Sequence, residues 1–392
     1  MKESILNVNK LKTNFYTYEG VVKALDGISL SLNKGDTLGI VGETGCGKSV
    51  TVLSILRLIL PPGKIEEGEI LYKLEENHVD LLKQPESFMR SIRGNEISMI
   101  FQEASSALNP VLTIGKQVSE SFLFHRQEEL CARVIEEFSK RRKDSKGPGA
   151  FYAGLIEKIY KRKRIKASSG RLRYGRYGIF LKKEAEKLAV NMLGSLGIPD
   201  PHEVIKKYPH ELSGGMQQRV VIAMALACNP SILIADEPTS NLDVTIQAQI
   251  LDLIEKLKAT YQSSILFITH DLGVVSEVAN KVIVLYAGTL VEFAFLRELF
   301  KNPLHPYTKA LLRSVPKPGI EGKLESIQGN VPNLIDPPRG CRFHPRCPKM
   351  MEICKKEKPA LYRINDVSGE LHLVACFLYS KNYHPDFNEK KP

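Results

Sequence analysis

The chain has 392 residues, 43% of them hydrophobic and 25% charged, which is the composition of a globular protein long enough for two or more structural units. No apolar run approaches the roughly 20 residues that span a bilayer, and the first residues lack the apolar core of a signal peptide, so we expect a soluble, cytoplasmic chain. The net charge of +11 does not by itself indicate nucleic-acid binding, because residues 140–183 alone hold 16 Lys/Arg and two acids.

The first predicted elements are short strands that lead into a glycine-rich loop. Residues 28–32 alternate between apolar and polar side chains, and residues 37–41 form a short apolar run. Residues 42–49 then match the phosphate-binding pattern G-x-x-x-x-G-K-[ST]. A helix is predicted to begin near Lys48 and to end at Pro61. Strand, loop and helix in this order predict a nucleotide site, because loop N–H groups and a helix N-terminus face the phosphates together.

Two later apolar runs also end in polar side chains. The run 231–235 is followed by two carboxylates, and the run 264–269 is followed by a histidine. Between them, apolar residues recur at helical spacing over 244–260. Strands alternating with helices predict an α/β fold with a mainly parallel sheet, and its site is expected along the edge where the strands end.

The regular alternation stops after about residue 295, where proline becomes frequent. Four of the seven cysteines, Cys341, Cys347, Cys354 and Cys376, follow in this tail. In a cytosolic chain such a group favours metal or iron–sulfur ligation over disulfides.

The segment Leu-Ser-Gly-Gly-Met-Gln-Gln-Arg at 212–219, followed by the strand that ends in Asp236 and Glu237, resembles the ATP-binding cassette (ABC) family. The resemblance implies a P-loop ABC ATPase nucleotide-binding domain over residues 1–295, with a parallel-sheet core, an antiparallel β subdomain and a helical subdomain. The helical subdomain is expected over about 103–210, with a basic insert over about 128–182. Residues 296–392 are expected to form a small, irregular, cysteine-rich C-terminal extension.

The resemblance also implies roles for individual residues. Glu237 is the expected base that polarises the attacking water, His270 the switch residue at the γ-phosphate, and Gln102 the glutamine that senses metal and water. Mg²⁺ is expected on Ser49, Gln102 and Asp236. The remaining residues expected to contact nucleotide are Phe15 or Tyr16 on the adenine, Gly42, Glu43, Thr44, Gly45, Cys46, Gly47, Lys48 and Val50 in and beside the loop, and Ser213, Gly214, Gly215, Gln217 and Asp243.

Further segments resemble the oligopeptide/dipeptide (and nickel) importer branch of the family. They include residues 106–110, 244–249, 302–312 and 340–348. The implied function is ATP hydrolysis that energises peptide uptake through a membrane permease. Oligosaccharides or nickel are alternative cargoes. A non-transport ATPase acting on ribosomes or nucleic acid, and a plain docking subunit, are rival functions.

The implied partners are a second ABC ATPase subunit, two transmembrane permease subunits and an extracytoplasmic substrate-binding protein; nucleic acid is not expected. A second cassette is needed because this chain has one glycine loop and one signature, and ABC sites form across a dimer. The chain is therefore expected at the cytoplasmic face of the membrane, as a peripheral subunit.

Related subunits suggest a [4Fe–4S] cluster on the four tail cysteines, and zinc is the alternative. For the basic segment 140–183, one interpretation is a solvated, mobile loop. The other is a contact with anionic lipid, with Tyr152, Tyr160, Tyr174 and Tyr177 at headgroup depth. RNA binding would use the same charges and aromatic rings.

Overall fold

The computed structural model describes residues 3–144, 146–167, 178–314, 327–365 and 370–380. Its strands are β1 (Ser4–Thr17), β2 (Gly20–Asn33), β3 (Thr37–Val41), β4 (Gly63–Leu74), β5 (Asn77–Asp80), β6 (Ile97–Ile100), β7 (Ile232–Asp236), β8 (Ser264–Thr269), β9 (Lys281–Tyr286), β10 (Thr289–Phe295), β11 (Tyr362–Asn365) and β12 (Leu371–Val374). Its helices are α1 (Lys48–Ile55), α2 (Glu86–Ile92), α3 (Ala104–Ala107), α4 (Ile114–His125), α5 (Gln127–Asp144), α6 (Pro148–Ala167), α7 (Gly178–Ser195), α8 (Pro201–Val204), α9 (Gly214–Leu226), α10 (Val244–Tyr261), α11 (Leu272–Val278), α12 (Leu296–Lys301), α13 (Pro306–Arg313) and α14 (Glu352–Lys356).

Two compact units divide these elements. The first unit consists of Met1–Arg90, Ile234–Glu237 and Glu255–Pro392, and the second of Ser91–Leu233 and Pro238–Ile254. The described residues therefore combine the sheets and the C-terminal segments in one unit and most of the helices in the other.

The first unit contains two sheets. One is antiparallel, in the order β2-β1-β4-β5, and the strands that this unit contributes to the larger one follow the order β11-β12-β10-β9-β3-β8-β7. Strand β3 is parallel to both β8 and β9, and every residue of β3, β7 and β8 is buried. Central parallel strands are covered on both faces, which explains why their sequences read as continuous apolar runs.

Strand β8 and helix α10 lie where the sequence predicts them, but helix α1 is shorter than predicted. Strand β8 has the predicted bounds, and α10 extends one residue beyond the predicted 260. The predicted end of α1 at Pro61 is wrong, because the helix ends at Ile55. Arg57 has a left-handed backbone with φ 52°. Its guanidinium donates to the carbonyls of Leu81 and Gln84, and these tertiary bonds stabilise an ending that no local signal marks.

The second unit is mainly helical, and its helices include the basic insert. A mobile loop is the wrong interpretation of the described part, because α5 and α6 are long helices that contact each other. The ring of Phe138 meets that of Phe180 at 4.9 Å, edge to face, and Tyr160 lies 6.4 Å from Phe180.

This packing also corrects the placement of the tyrosines. Tyr160 is fully buried, so it cannot lie at headgroup depth, whereas Tyr152 is exposed. Tyr174 and Tyr177 lie outside the described residues.

The C-terminal extension is more regular than the sequence suggested. Strands β11 and β12 continue the larger sheet, with β12 antiparallel to β10. The fully buried carboxylate of Glu292 accepts hydrogen bonds from the backbone N–H groups of Leu304 and His305, at 2.7 and 2.8 Å, and lies 2.8 Å from Nε2 of His372. Two separate segments of the extension are thus joined to β10 through one acid.

Candidate nucleotide site

The phosphate loop connects β3 to α1 in the first unit. Gly47 precedes α1 with φ 103°, and a Cβ at Gly42 would lie 2.2 Å from the carbonyl oxygen of Leu285, so neither position accepts a side chain without strain. The buried Lys48 ammonium donates to the carbonyls of Gly42 at 2.7 Å and Glu43 at 3.1 Å. The cation is therefore held inside the loop that the phosphates would occupy.

The residues at the tip of the phosphate loop are more accessible to solvent than those that follow it. Thr44 and Gly45 are exposed, so their backbone is accessible to an anion, while Val50 is half-buried on α1. The Cys46 thiol is buried, and burial raises its pKa. A neutral, buried thiol leaves phosphate binding to the loop backbone.

Oxygen ligands for a divalent cation meet beside the loop. The Ser49 hydroxyl donates to Oδ1 of Asp236 at 3.2 Å. Asp236 is 3% exposed, and its pKa is raised by burial and by the charge of Glu237, against the hydrogen bond from Ser49. A hydroxyl and a carboxylate are ligands that Mg²⁺ accepts, and a cation would offset the cost of burying this charge. The donor set fits Mg²⁺.

The two predicted catalytic side chains of this unit face each other. Oε1 of Glu237 lies 3.2 Å from Nδ1 of His270, although the two residues leave different strands. Glu237 has a left-handed backbone with φ 45°, and its N–H donates to the carbonyl of Ile268 at 2.9 Å. Asp236 thus meets Ser49 while Glu237 meets His270, so one acid can hold metal while the other polarises water.

The aromatic residues near the end of β1 differ in exposure. Phe15 is half-buried, and a Cβ at Gly63 would lie 2.6 Å from its ring. Tyr16 is exposed, and its hydroxyl donates to Glu66 at 2.7 Å. Tyr18, which no sequence pattern indicated, has a side chain that is 98% exposed. Phe15 and Tyr16, the two residues predicted to stack on the adenine, thus differ in accessibility.

The signature segment lies in the second unit, at the start of α9. Ser213 and Gly214 are exposed, and the Ser213 hydroxyl accepts from the N–H of Met216 at 3.4 Å. Gly215 is close to Ile246, because a Cβ there would lie 3.1 Å from that side chain. The Gln217 amide donates to the carbonyl of Pro209 at 2.9 Å. A capped helix N-terminus with an exposed serine suits a phosphate oxygen.

Two further predicted residues lie in the same unit. Gln102 is exposed just after β6, and the Asp243 carboxylate accepts from the N–H of Ile246 at 3.0 Å at the start of α10. Asp243 therefore acts locally as a helix cap in this structure.

Two residues of the extension contact the phosphate loop and were not predicted. The Arg346 guanidinium forms an ion pair with Glu43 at 2.7 Å, and the Tyr307 hydroxyl accepts from the Glu43 N–H at 2.9 Å. Both belong to segments that sequence reasoning noted only as marks of the importer branch. The sequence feature that could have indicated the role of Arg346 is its place in the cysteine-rich tail, one residue before Cys347.

The four tail cysteines are near one another without forming a recognisable metal site. Across the described ranges, no set of three or more His, Cys, Asp or Glu side chains is arranged to hold a metal ion. The N–H of Cys341 donates to the carbonyl of Cys354 at 2.8 Å. Burial raises the pKa of Cys376 to about 12, and the charges of the other three thiols act in the same direction.

Two family models match the chain, and curated relatives are similar to it over most of its length. A family model described as ABC transporter matches residues 25–240, and one described as oligopeptide/dipeptide transporter, C-terminal region, matches residues 291–354. The dipeptide transport ATP-binding protein DppD of Bacillus subtilis is 42% identical, with 96% of this chain and 95% of that protein covered. The oligopeptide transport ATP-binding protein AppD of the same organism is 44% identical, over 96% of this chain and 98% of that protein.

Solved structures show the same fold. The dimeric post-hydrolysis structure of the ATP-binding cassette MJ0796, bound to ADP and Pi, aligns with a TM-score of 0.53 at 23% identity. The alignment covers 74% of this chain and 99% of the MJ0796 chain. At this identity the likeness concerns the fold alone.

Proposed function

The chain belongs to the ABC transporter family, and we propose that it is the ATP-hydrolysing subunit of an importer for dipeptides or oligopeptides. The observation that carries the proposal is the meeting of Ser49 with Asp236 and of Glu237 with His270 beside an intact phosphate loop. The cargo class is inferred from the names of the relatives and from the match of the extension to the oligopeptide/dipeptide transporter region.

The chemistry follows from the positions of the side chains. Lys48 and the loop N–H groups would bind the β- and γ-phosphates. Ser49 and Asp236 would hold Mg²⁺, which would supply neutralisation of the phosphate charge. Glu237 would take the proton of the attacking water, and His270 would orient the carboxylate from 3.2 Å away.

The assembly needs other chains. We propose a second cassette whose phosphate loop meets Ser213, Gly214 and Gly215 of this one, together with two permease subunits and an extracytoplasmic binding protein. In the part of the chain that the structure describes, no helix is long and apolar enough to cross a membrane. We therefore propose a peripheral position on the cytoplasmic face, reached through the permeases.

ATPase measurements test the proposal. We expect Glu237→Gln to retain ATP binding and to lower turnover by roughly 10²–10⁴-fold, the usual contribution of a general base. Lys48→Ala should weaken ATP binding, because it removes the buried cation. Glu277→Gln, an exposed acid on α11, is the control. Wild-type turnover by Glu237→Gln would contradict the assignment of the base.

Uptake measurements test the cargo. Cells lacking this chain should lose uptake of labelled dipeptides or oligopeptides, and the wild-type chain but not Glu237→Gln should restore it. Loss of nickel or oligosaccharide uptake, with peptide uptake unchanged, would replace the cargo assignment and leave the ATPase assignment in place.

We also propose that Cys341, Cys347, Cys354 and Cys376 ligate a [4Fe–4S] cluster, with zinc as the alternative. The support is that Cys341 and Cys347 pack against the same core and that the Cys341 N–H donates to the carbonyl of Cys354 at 2.8 Å, because thiolates on one cluster must be neighbours. Anaerobically purified protein should then be brown and contain about four irons per chain. Stoichiometric zinc without iron would favour the zinc alternative.

The basic insert has an outer face that favours the lipid interpretation. Phe151, Leu155, Lys158 and Arg162 follow one another at helical spacing on α6, and all four are exposed. Exposed apolar side chains beside cations match an anionic bilayer surface, where each basic residue contributes about 1 kcal/mol. We propose that this face contacts lipid headgroups.

Point variants test this face better than deletion, because α6 also contributes the buried Tyr160 to the packing of the unit. We expect Phe151→Ser with Leu155→Ser to reduce sedimentation with anionic liposomes and to leave ATPase activity unchanged. Val111→Ser, an equally exposed apolar side chain elsewhere, is the control. Unchanged sedimentation with weaker RNA binding would support the nucleic-acid alternative.

A further inference from the structure

The C-terminal extension holds the phosphate loop through one arginine. Arg346 lies between Cys341 and Cys347, and its guanidinium donates to both carboxylate oxygens of Glu43, at 2.7 and 3.0 Å. The arginine side chain is 5% exposed and the glutamate side chain 26%. A bidentate ion pair that is largely removed from water is stronger and more directional than a surface pair.

The guanidinium is itself fixed from several directions. Its other N–H groups donate to the carbonyls of Gln328 and Ile327, at 2.9 and 3.2 Å, and to the hydroxyl of Tyr286 at 3.2 Å. All five donors of the side chain therefore have acceptors. Because the Arg346 guanidinium is held in this way, the position of the extension determines where the Glu43 carboxylate lies.

A second contact fixes the backbone of the same loop residue. The Tyr307 hydroxyl accepts the Glu43 N–H at 2.9 Å. The Tyr307 ring is buried, with its centroid 4.6 Å from that of Tyr286 and 5.4 Å from that of Phe343. Rigid aromatic packing thus supports a hydrogen bond to the loop that would bind phosphate.

We infer that the extension positions the phosphate loop for ATP, and that Arg346 and Tyr307 are positioning residues for nucleotide binding. The inference rests on the proposed ATP site at residues 42–49. Arg346 has two effects: it orients the loop, and it neutralises a carboxylate that would otherwise repel the phosphates from within the same loop. Through Arg346, the cysteine-rich segment thereby affects the affinity of the chain for ATP.

Nucleotide titrations of the full-length chain test the inference. With a fluorescent ATP analogue, we expect Arg346→Gln to raise the Kd by about tenfold while kcat at saturating ATP stays within about twofold. Arg346→Lys should recover part of the affinity, because it restores the charge without the bidentate geometry. Arg339→Gln, an exposed arginine of the same extension, is the matched control.

The double variant Glu43→Gln with Arg346→Gln separates positioning from a merely structural role. Removing the unpaired carboxylate should restore most of the affinity lost in Arg346→Gln, whereas a structural defect would persist or worsen. If Arg346→Gln does not fold, Tyr307→Phe removes the acceptor of the loop N–H and keeps the ring, and a raised Kd is again expected.

The outcomes distinguish this inference from the proposed function. Wild-type Kd in both Arg346→Gln and Tyr307→Phe would overturn the positioning role, with ATP binding itself intact. Failure of the wild-type chain to bind the analogue, with no difference from Lys48→Ala, would instead overturn the ATP site on which the inference rests.

Discussion

At the scale of single residues, the conformation of the phosphate loop depends on glycine, which has no side chain. Gly42 has φ 153° and passes so close to the chain that an added Cβ would meet both the carbonyl oxygen of Leu285 and Sγ of Cys46. The loop can therefore lie against β9 only if this position is glycine.

We expect Gly42→Ala to abolish detectable ATP binding while the sheets remain folded. The methyl group would displace the loop from the backbone of Leu285, and misplaced N–H groups cannot converge on a phosphate. Titration with ATP, alongside far-UV circular dichroism, measures both effects. Gly194→Ala, where the backbone is not left-handed and a Cβ would meet only Cγ of Pro201 at 3.7 Å, is the comparison. Equal affinities in the two variants would contradict this account.

A buried histidine predicts a pH dependence of stability. Burial lowers the pKa of His305 from 6.5 to about 4, although the charge of Glu292 opposes the shift. Below pH 6.5 the unfolded chain binds a proton that the folded chain does not, so stability is lost as pH falls from 6.5 towards 4. Between pH 7 and pH 5 we expect a loss of about 2 kcal/mol from this group.

Urea unfolding of the wild type and of His305→Asn at both pH values isolates the contribution of His305. The wild type should lose more stability than the variant on going to pH 5. Equal losses would show that the imidazole is not kept neutral by burial.

At the scale of elements, the extension is joined to the larger sheet by an acid. Glu292 on β10 accepts from the segment before α13 and lies beside His372 on β12. Without this carboxylate, two backbone N–H groups would be buried without acceptors.

We expect Glu292→Ala to lower the free energy of unfolding by about 3 kcal/mol, the cost of leaving buried polar groups unpaired. Urea denaturation measures this change. Glu352→Ala, which removes an exposed partner of Lys355, should change stability little. A similar midpoint for Glu292→Ala and Glu352→Ala would contradict the role of the buried acid.

At the scale of the whole molecule, the chain has one phosphate loop and one signature serine. In the proposed mechanism each loop is completed by the signature of another cassette. Hydrolysis should therefore separate cassettes, and blocking hydrolysis should hold them together.

We expect Glu237→Gln to associate stably with its partner cassette in the presence of ATP and Mg²⁺. The γ-phosphate, bound from both sides, would persist because its cleavage is slowed. Size-exclusion chromatography with light scattering gives the mass of the complex. Adding Ser213→Arg should abolish association, because a large cation replaces the exposed serine. Persistence of the complex in that double variant would exclude the signature from the interface.

The sequence by itself determined the positions of the central strands and which polar residues follow them. The phosphate loop, Asp236 and Glu237 at the end of β7, and His270 after β8 were all predictable, because an apolar run that ends in polar side chains is a local signal. Buried parallel strands make that signal strong, since both of their faces must be apolar.

Only the tertiary structure decided what surrounds the site. Arg346 and Glu43 are 303 positions apart, and β12 joins β10 after a segment that has no regular alternation. The ring of the buried Tyr160 meets that of Phe180, which belongs to another helix. In each case the partner is distant in the chain, so the free energy of the contact depends on the fold and leaves no periodic pattern in the local sequence.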